Sequence, residues 1–179
     1  MLGRAFANDL IVRWPLGDVD GIEQRITSSF RLLDYGCAAA GLLIQSEDSS
    51  GAALWVGPKA LERFSKIELA SRDTVRALTS DGGARYDEFW DWIEAQIPDE
   101  PVWFLDHVGV EPDRQGRGIG AALISWGLAN ARRDGIGAFL ETATEANVAY
   151  YETFGFRVDV EVDAPSGGPH IWFMSSRAQ

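Results

Sequence analysis

Apolar residues at Ile22, Ile26, Phe30 and Leu33 recur at helical spacing, and Asp20 with Glu23 supplies a capping pair, so residues 21–35 are predicted to form a helix with one buried face. Two short apolar runs, Gly41 to Gln45 and Ala52 to Val56, flank the polar turn SEDSSG and read as an antiparallel hairpin. Helical periodicity returns between Pro58 and Ile97, clearest over 60–69 and 86–97, with TSDGGA as the break. After Pro98 and Pro101 the runs shorten: strand 102–110, helix 119–133 ended by Gly135, strand 136–142, helix 147–154, strand 156–162 and a closing strand 171–175. Gly3 to Asp9 reads as the last turns of a helix whose beginning is absent, and Arg13 to Gly17 as a Pro-containing break. Strands alternating with helices indicate one α/β domain, residues 1–179, built on a mixed sheet.

Within strand 102–110 the apolar phase changes, because Leu105 is odd while Val108 and Val110 are even, and the switch falls across Asp106 and His107. One extra residue there, a β-bulge, would bend the strand and leave backbone groups unpaired, as bulges do beside many active sites. Alternatively the strand is buried on both faces and its phase carries no information. Two readings also attach to DEFWDWIEAQ. Its acidic and aromatic residues would suit a pocket for an aromatic cation, whereas Phe89, Trp92 and Ile93 at i, i+3 and i+4 describe a core face with solvated carboxylates opposite.

The strand feeds EPDRQGRGIG, where Gly116, Gly118 and Gly120 alternate just ahead of a helix. Backbone without Cβ can approach a ligand closely, and the first N–H groups of the helix have no partner within it, so the turn is predicted to bind a phosphate or pyrophosphate. Arg114 and Arg117 place positive charge there against a net charge of −11, and Arg132 with Arg133 complement the far end of the helix dipole. The overall acidity argues against nucleic acid or an anionic membrane surface as partner and suits a cationic substrate. With Cys37 as the single cysteine no intrachain disulfide can form, no ligand cluster suggests a metal, and no apolar run reaches transmembrane length. The expectation is a cytoplasmic protein with no membrane contact.

Two ligands fit the turn. Gly116, Gly118 and Ala121 satisfy the dinucleotide pattern GxGxxG/A, with Glu141 following at the distance of a ribose-binding acid. However, EPDRQ separates the strand from the glycines, and too little chain follows to complete a dinucleotide fold; a P-loop is excluded because no GK pair exists. QGRGIG instead resembles the Q/RxxGxG/A signature of the GNAT superfamily of acyl-CoA-dependent N-acyltransferases. The preceding LDHVGVEPDR resembles that family's fourth strand and turn, and LETATEANVAYYETFGFRV its later strand and helix, ending in GF. More narrowly, EPVWFLDHVGVEPDRQGRGIG, GAFLETATEANVAYYETFGF and GPHIWFM look like the puromycin N-acetyltransferase branch.

The resemblance implies a GNAT fold: a mixed, mainly antiparallel twisted sheet with a splayed central strand and flanking helices. On that resemblance the first strand and much of the first helix of the fold are expected to be missing, which would leave an exposed edge for a second copy to cover in a homodimer. It implies acetyl-CoA as co-substrate, with Gln115, Gly116, Arg117, Gly118, Ile119, Gly120 and Ala121 at the pyrophosphate. Val108, Gly109 and Val110 would line the pantetheine arm and the acetyl carbonyl, and Asn147 would also touch the cofactor. Tyr151, selected over Tyr150 by the family spacing NxxxYxxxGF, would be the general acid; His107 and then Glu141 are the candidates for general base, with Asp106 adjoining. His170 is expected only to pack. The implied reaction is direct acetyl transfer to a primary amine of a small molecule, an aminonucleoside antibiotic being the example that would make it a resistance enzyme. A regulatory module that binds acyl-CoA without turnover is the alternative.

Overall fold

The computed structural model describes residues 1–40 and 42–177. Three helices come first: α1 (Leu2–Ala5), α2 (Leu10–Leu16) and α3 (Ile22–Ala39). The expected break at Arg13 to Gly17 is instead the second half of α2, with Pro15 inside it. That helix survives its proline because Asp9 caps it, accepting from the N–H groups of Ile11 and Val12, and because Ile11 and Leu16 are buried. The first long helix is not shortened either, since α3 runs 18 residues. Among the described residues no strand precedes β1 (Leu43–Gln45), which is followed by β2 (Gly51–Val56), α4 (Leu61–Arg76), α5 (Ala84–Glu94) and β3 (Trp103–Val110). Then come α6 (Ile119–Asp134), β4 (Ala138–Thr142), α7 (Glu145–Glu152), β5 (Arg157–Asp163) and β6 (His170–Ser176). Gly41, expected in the first hairpin strand, lies outside the described residues.

The strands form one six-stranded sheet in the order β1-β2-β3-β4-β6-β5, antiparallel except for the β3–β4 pair. This is the mixed, splayed architecture that the sequence resemblance implied. The sheet's two edge strands are β5 and β1; β1 is only three residues long, and shortness is one of the ways a sheet avoids edge pairing. No helix among the described residues is long and apolar enough to cross a membrane.

Each face of the sheet carries its own core. On one, Leu54, Val56, Phe104, Phe139 and Phe173 pack against Ile11, Phe64 and Phe89 of the helical layer. On the other, Ala53, Trp55, Leu105 and Leu140 meet Leu123, Ile124 and Leu128 of α6. Trp55 locks α6 over β2. Its Nε1–H donates to Leu123 O at 3.2 Å, and its ring fills the space beside Gly127, where a Cβ would lie 2.0 Å from it. Full burial of a large apolar side chain contributes about 1.5–3 kcal/mol, so these contacts, rather than local propensity, fix the helix on the sheet.

The phase change in β3 is a bulge. Leu54 lies opposite His107 and Trp55 opposite Leu105, so Asp106 is the extra residue and Leu105 and Val108 both join the α6 core. The bulge also decides where the backbone points. Trp103 N–H donates to Gly137 O on the β4 side at 3.0 Å, whereas Glu111 N–H donates to Ser50 O on the β2 side at 2.7 Å. In an unbroken strand those two odd-numbered residues would face the same edge. Because Asp106 reverses the alternation, Val108 and Val110 turn their N–H groups toward β4. There they find no strand, since β3 and β4 pair only at Trp103 with Ala138 and Phe104 with Phe139 before they diverge.

Candidate functional site

Beyond β3, the turn leads into α6 through Gly116 (φ +73°) and Gly118 (φ +83°), the latter being the N-cap in the left-handed region. No protein atom lies within 4 Å of the position a Cβ would occupy on either glycine, so the turn is open toward solvent. The first N–H of α6 with a backbone partner is that of Ala122, which donates to Gly118 O at 2.9 Å. Those of Ile119, Gly120 and Ala121 are left free of backbone acceptors, as at any helix start. Gln115 Nε2 donates to Val110 O at 3.3 Å and ties the turn to the gap-facing edge of β3. Fixed amide donors, a helix N-terminus and the exposed Arg114 and Arg117 form a donor set that fits the diphosphate of acetyl-CoA.

Where β3 and β4 part, the gap opens into a cavity of about 150 Å³. Asp106, His107 and Val108 line it from β3, Glu141 from β4, and Asn147 and Tyr151 from α7, while Asp9, Phe30, Phe64, Glu68, Tyr86 and Trp90 form its helical walls. Glu141 alternates in phase with Phe139, whose side chain packs on the helical layer; Tyr151 packs with the α6 core on the opposite face. They share a cavity only because the sheet is open between them. Asn147 Nδ2 donates to Thr142 Oγ1 at 3.1 Å, Thr144 caps α7, and Tyr151 follows Asn147 one turn later. Tyr150 points elsewhere, its hydroxyl 3.6 Å from the Cβ position of Gly120 over the first turn of α6.

The charges in the cavity are unevenly paired. Glu141 Oε2 is buried and has no hydrogen-bond partner, and burial, with Asp106 and Asp9 nearby, pushes its pKa well above the usual carboxylate range. Burial, with Glu141 adjacent, raises the Tyr151 phenol above its ordinary value, so it carries its proton at neutral pH. For His107 burial alone would lower the pKa. The imidazole nonetheless donates from Nδ1 to Asp106 Oδ2 at 2.7 Å and sets Nε2 3.3 Å from Asp34 Oδ1, and these carboxylates push it up to about 9. Glu68 is pushed up to about 7 by burial and Asp106, against the pull of Arg72. Four carboxyl groups (Asp9, Glu68, Asp106, Glu141) thus line a space in which His107 is the one cationic lining residue.

Of the sequence-predicted residues, His107, Val108, Glu141, Asn147 and Tyr151 come together in this cavity, while Gln115 to Ala121 form the separate open turn. DEFWDWIEAQ divides between its two readings. Phe89 and Ile93 are core, Asp91 pairs with Arg72 and Asp87 with Arg76, and Trp90 reaches the cavity beside Tyr86. Sequence reasoning missed Asp9, Asp34 and Glu68. A signal existed for the last two: Asp34 continues the Ile26, Phe30 stripe of α3, and Glu68 lies between Phe64 and Val75 on the buried stripe of α4. A carboxylate in phase with a buried stripe faces either a partner or a ligand.

The model of the Acetyltransferase (GNAT) family matches residues 81–156. An uncharacterized N-acetyltransferase of Schizosaccharomyces pombe is 27% identical over 140 residues, covering 73% of this chain and 57% of that protein. A mycothiol acetyltransferase of Thermobispora bispora is 38% identical over 72 residues, covering 37% of this chain and 24% of that one. The chain therefore spans little more than half the length of the first relative and about a quarter of the second. The whole fold superimposes on a Corynebacterium glutamicum structure of histone acetyltransferase HPA2 and related acetyltransferase, with a TM-score of 0.68, 21% identity, and 98% and 86% of the two chains covered. Nothing in these likenesses is particular to the puromycin branch.

Proposed function

We propose that this chain, whose residues 81–156 match the GNAT acetyltransferase family, transfers an acetyl group from acetyl-CoA to the primary amine of a small cationic molecule, with Glu141 as base and Tyr151 as acid. The observation that carries this reading is the buried, unpartnered Glu141 Oε2, which lines the cavity together with the Tyr151 side chain where the sheet opens.

Bound acetyl-CoA supplies the activated acyl carbon. Gln115 to Ala121 would hold its pyrophosphate, and the N–H groups of Val108 and Val110 would offer the thioester oxygen fixed donors, each such donor being worth about 2.7–4 kcal/mol of barrier. An ammonium entering from the helical side meets a cavity with an excess of carboxyl groups, and its own charge favours ionised Glu141. Glu141 then accepts the proton that frees the amine for attack. Tyr151 keeps a proton at Oη for the departing thiolate. His107 is the less suitable base of the two: as an imidazolium between Asp106 and Asp34 it has no free lone pair at neutral pH, and its part is to hold the bulge against α3. A cavity of about 150 Å³, the size that elsewhere accepts a single ring, favours a compact amine over an aminonucleoside.

The test is release of free thiol from acetyl-CoA on addition of a panel of primary amines. Wild type should turn over, with kcat/KM rising with pH as Glu141 ionises, and Glu141→Gln should lose about a hundredfold or more in kcat with CoA affinity retained. Tight CoA binding without thiol release on any amine would leave a binding module instead.

A further inference from the structure

Removing one proton from one amine needs one base, yet the cavity holds a second carboxylate with nothing to do in that step. Glu68 projects from α4 into the same space that Glu141 enters from β4. Its carboxylate is ion-paired with Arg72 one turn on along the same helix, at 3.7 Å. Arg72 also holds Asp91 at 2.8 Å and stands 4.0 Å from Glu94, so one guanidinium is shared among three carboxylates. Phe64, Tyr86 and Trp90 line the same cavity, and Asp106 on the bulge bears electrostatically on both glutamates.

Two carboxylates entering one largely apolar and aromatic cavity from different layers match a guest with two cationic ends and an apolar middle. The buried, unpartnered Glu141 Oε2 marks where one end goes. Resting on the acetyltransferase reading above, we propose that the acceptor is a short diamine, bound with its reacting amine at Glu141 and its second ammonium at Glu68. The aromatic faces beside Glu68 favour the same ammonium through their quadrupoles. The diamine is acetylated at one end only: its amine nitrogen forms the amide bond, the thioester C–S bond breaks, and the proton lost from nitrogen balances the one taken up by the thiolate. The product, with one charge gone, no longer satisfies both glutamates and dissociates.

The experiment compares α,ω-diaminoalkanes with n-alkylamines of the same chain length, using thiol release from acetyl-CoA by the full chain. Wild type should show a kcat/KM about tenfold or more higher for the diamine, as expected for one added charge-assisted contact, with an optimum at one spacer length. Glu68→Gln should collapse the diamine-to-monoamine ratio toward one, and Glu68→Asp should shift the optimum to a longer spacer; calorimetric binding of CoA checks that both variants are folded. Equal efficiency on the two series, or a ratio unmoved in a folded Glu68→Gln protein, overturns the diamine assignment while leaving acetyl transfer intact. Absence of thiol release on every amine tried overturns both.

Discussion

His107 is the most sharply defined electrostatic element of the site, and replacing it by Gln has a calculable signature. The residue is 7% exposed and its ring sits between Asp106 and Asp34, which raise its pKa from 6.5 to about 9 despite its burial. At about 1.4 kcal/mol for each unit of pH between those values, the charged form contributes about 3 kcal/mol to folding. A folded-state pKa above the unfolded one means that the contribution is complete below about pH 6.5 and lost as the pH rises through about 9. Urea unfolding of wild type and His107→Gln at pH 6 and pH 9.5 isolates it, because the other titrating groups are common to both proteins. The stability difference should shrink by about 3 kcal/mol between the two conditions. A difference that is flat, or that grows with pH, would refute the argument by showing that the imidazole is buried neutral.

Three further substitutions probe different links. Tyr151→Phe should lower kcat by about a hundredfold while leaving the calorimetric affinity for CoA unchanged; unaltered turnover would remove the phenol from the acid role. Gly118→Ala forces a Cβ into a left-handed N-cap at φ +83°, at a cost of about 1–2 kcal/mol. It should therefore weaken CoA binding about tenfold, read by titration calorimetry. Gly127→Ala drives a methyl into the Trp55 ring and should lose about 1–3 kcal/mol of stability in denaturant unfolding, with the largest change in Trp fluorescence.

The half of the fold from Pro101 onward was legible because its signals are local. Alternation, a glycine turn before a helix and a GF pair after one each constrain the backbone within a few residues, and the bulge at Asp106 showed itself as a break in parity. The proposed acid on α7, Tyr151, was found through spacing, and the proposed base on β4, Glu141, through its place at a strand end. The first hundred residues offered fewer such constraints. Arg13 to Gly17 looked like a break because a proline outweighs a short apolar stripe in sequence, whereas in the fold the Asp9 cap and the burial of Leu16 outweigh the proline. Asp9, Asp34 and Glu68 were missed for a related reason: each is an isolated acid whose meaning comes from residues far along the chain. For His107 the sequence displays one partner, its neighbour Asp106, and hides the other, Asp34 on α3.

The bulge also changes what kind of mutation this protein can tolerate. Any side chain at position 106 would leave the strand with the same number of residues between Phe104 and Val108, and so with the same backbone facing the gap. Removing the residue altogether would abolish the bulge and its bend yet leave Val108 and Val110 facing the gap, because the alternation then runs unbroken from Trp103 to Val110. For this stretch of chain the extra residue therefore sets a bend and not a parity: it governs where the strand parts from β4, while the residues beyond it keep their amides on the gap side with or without it.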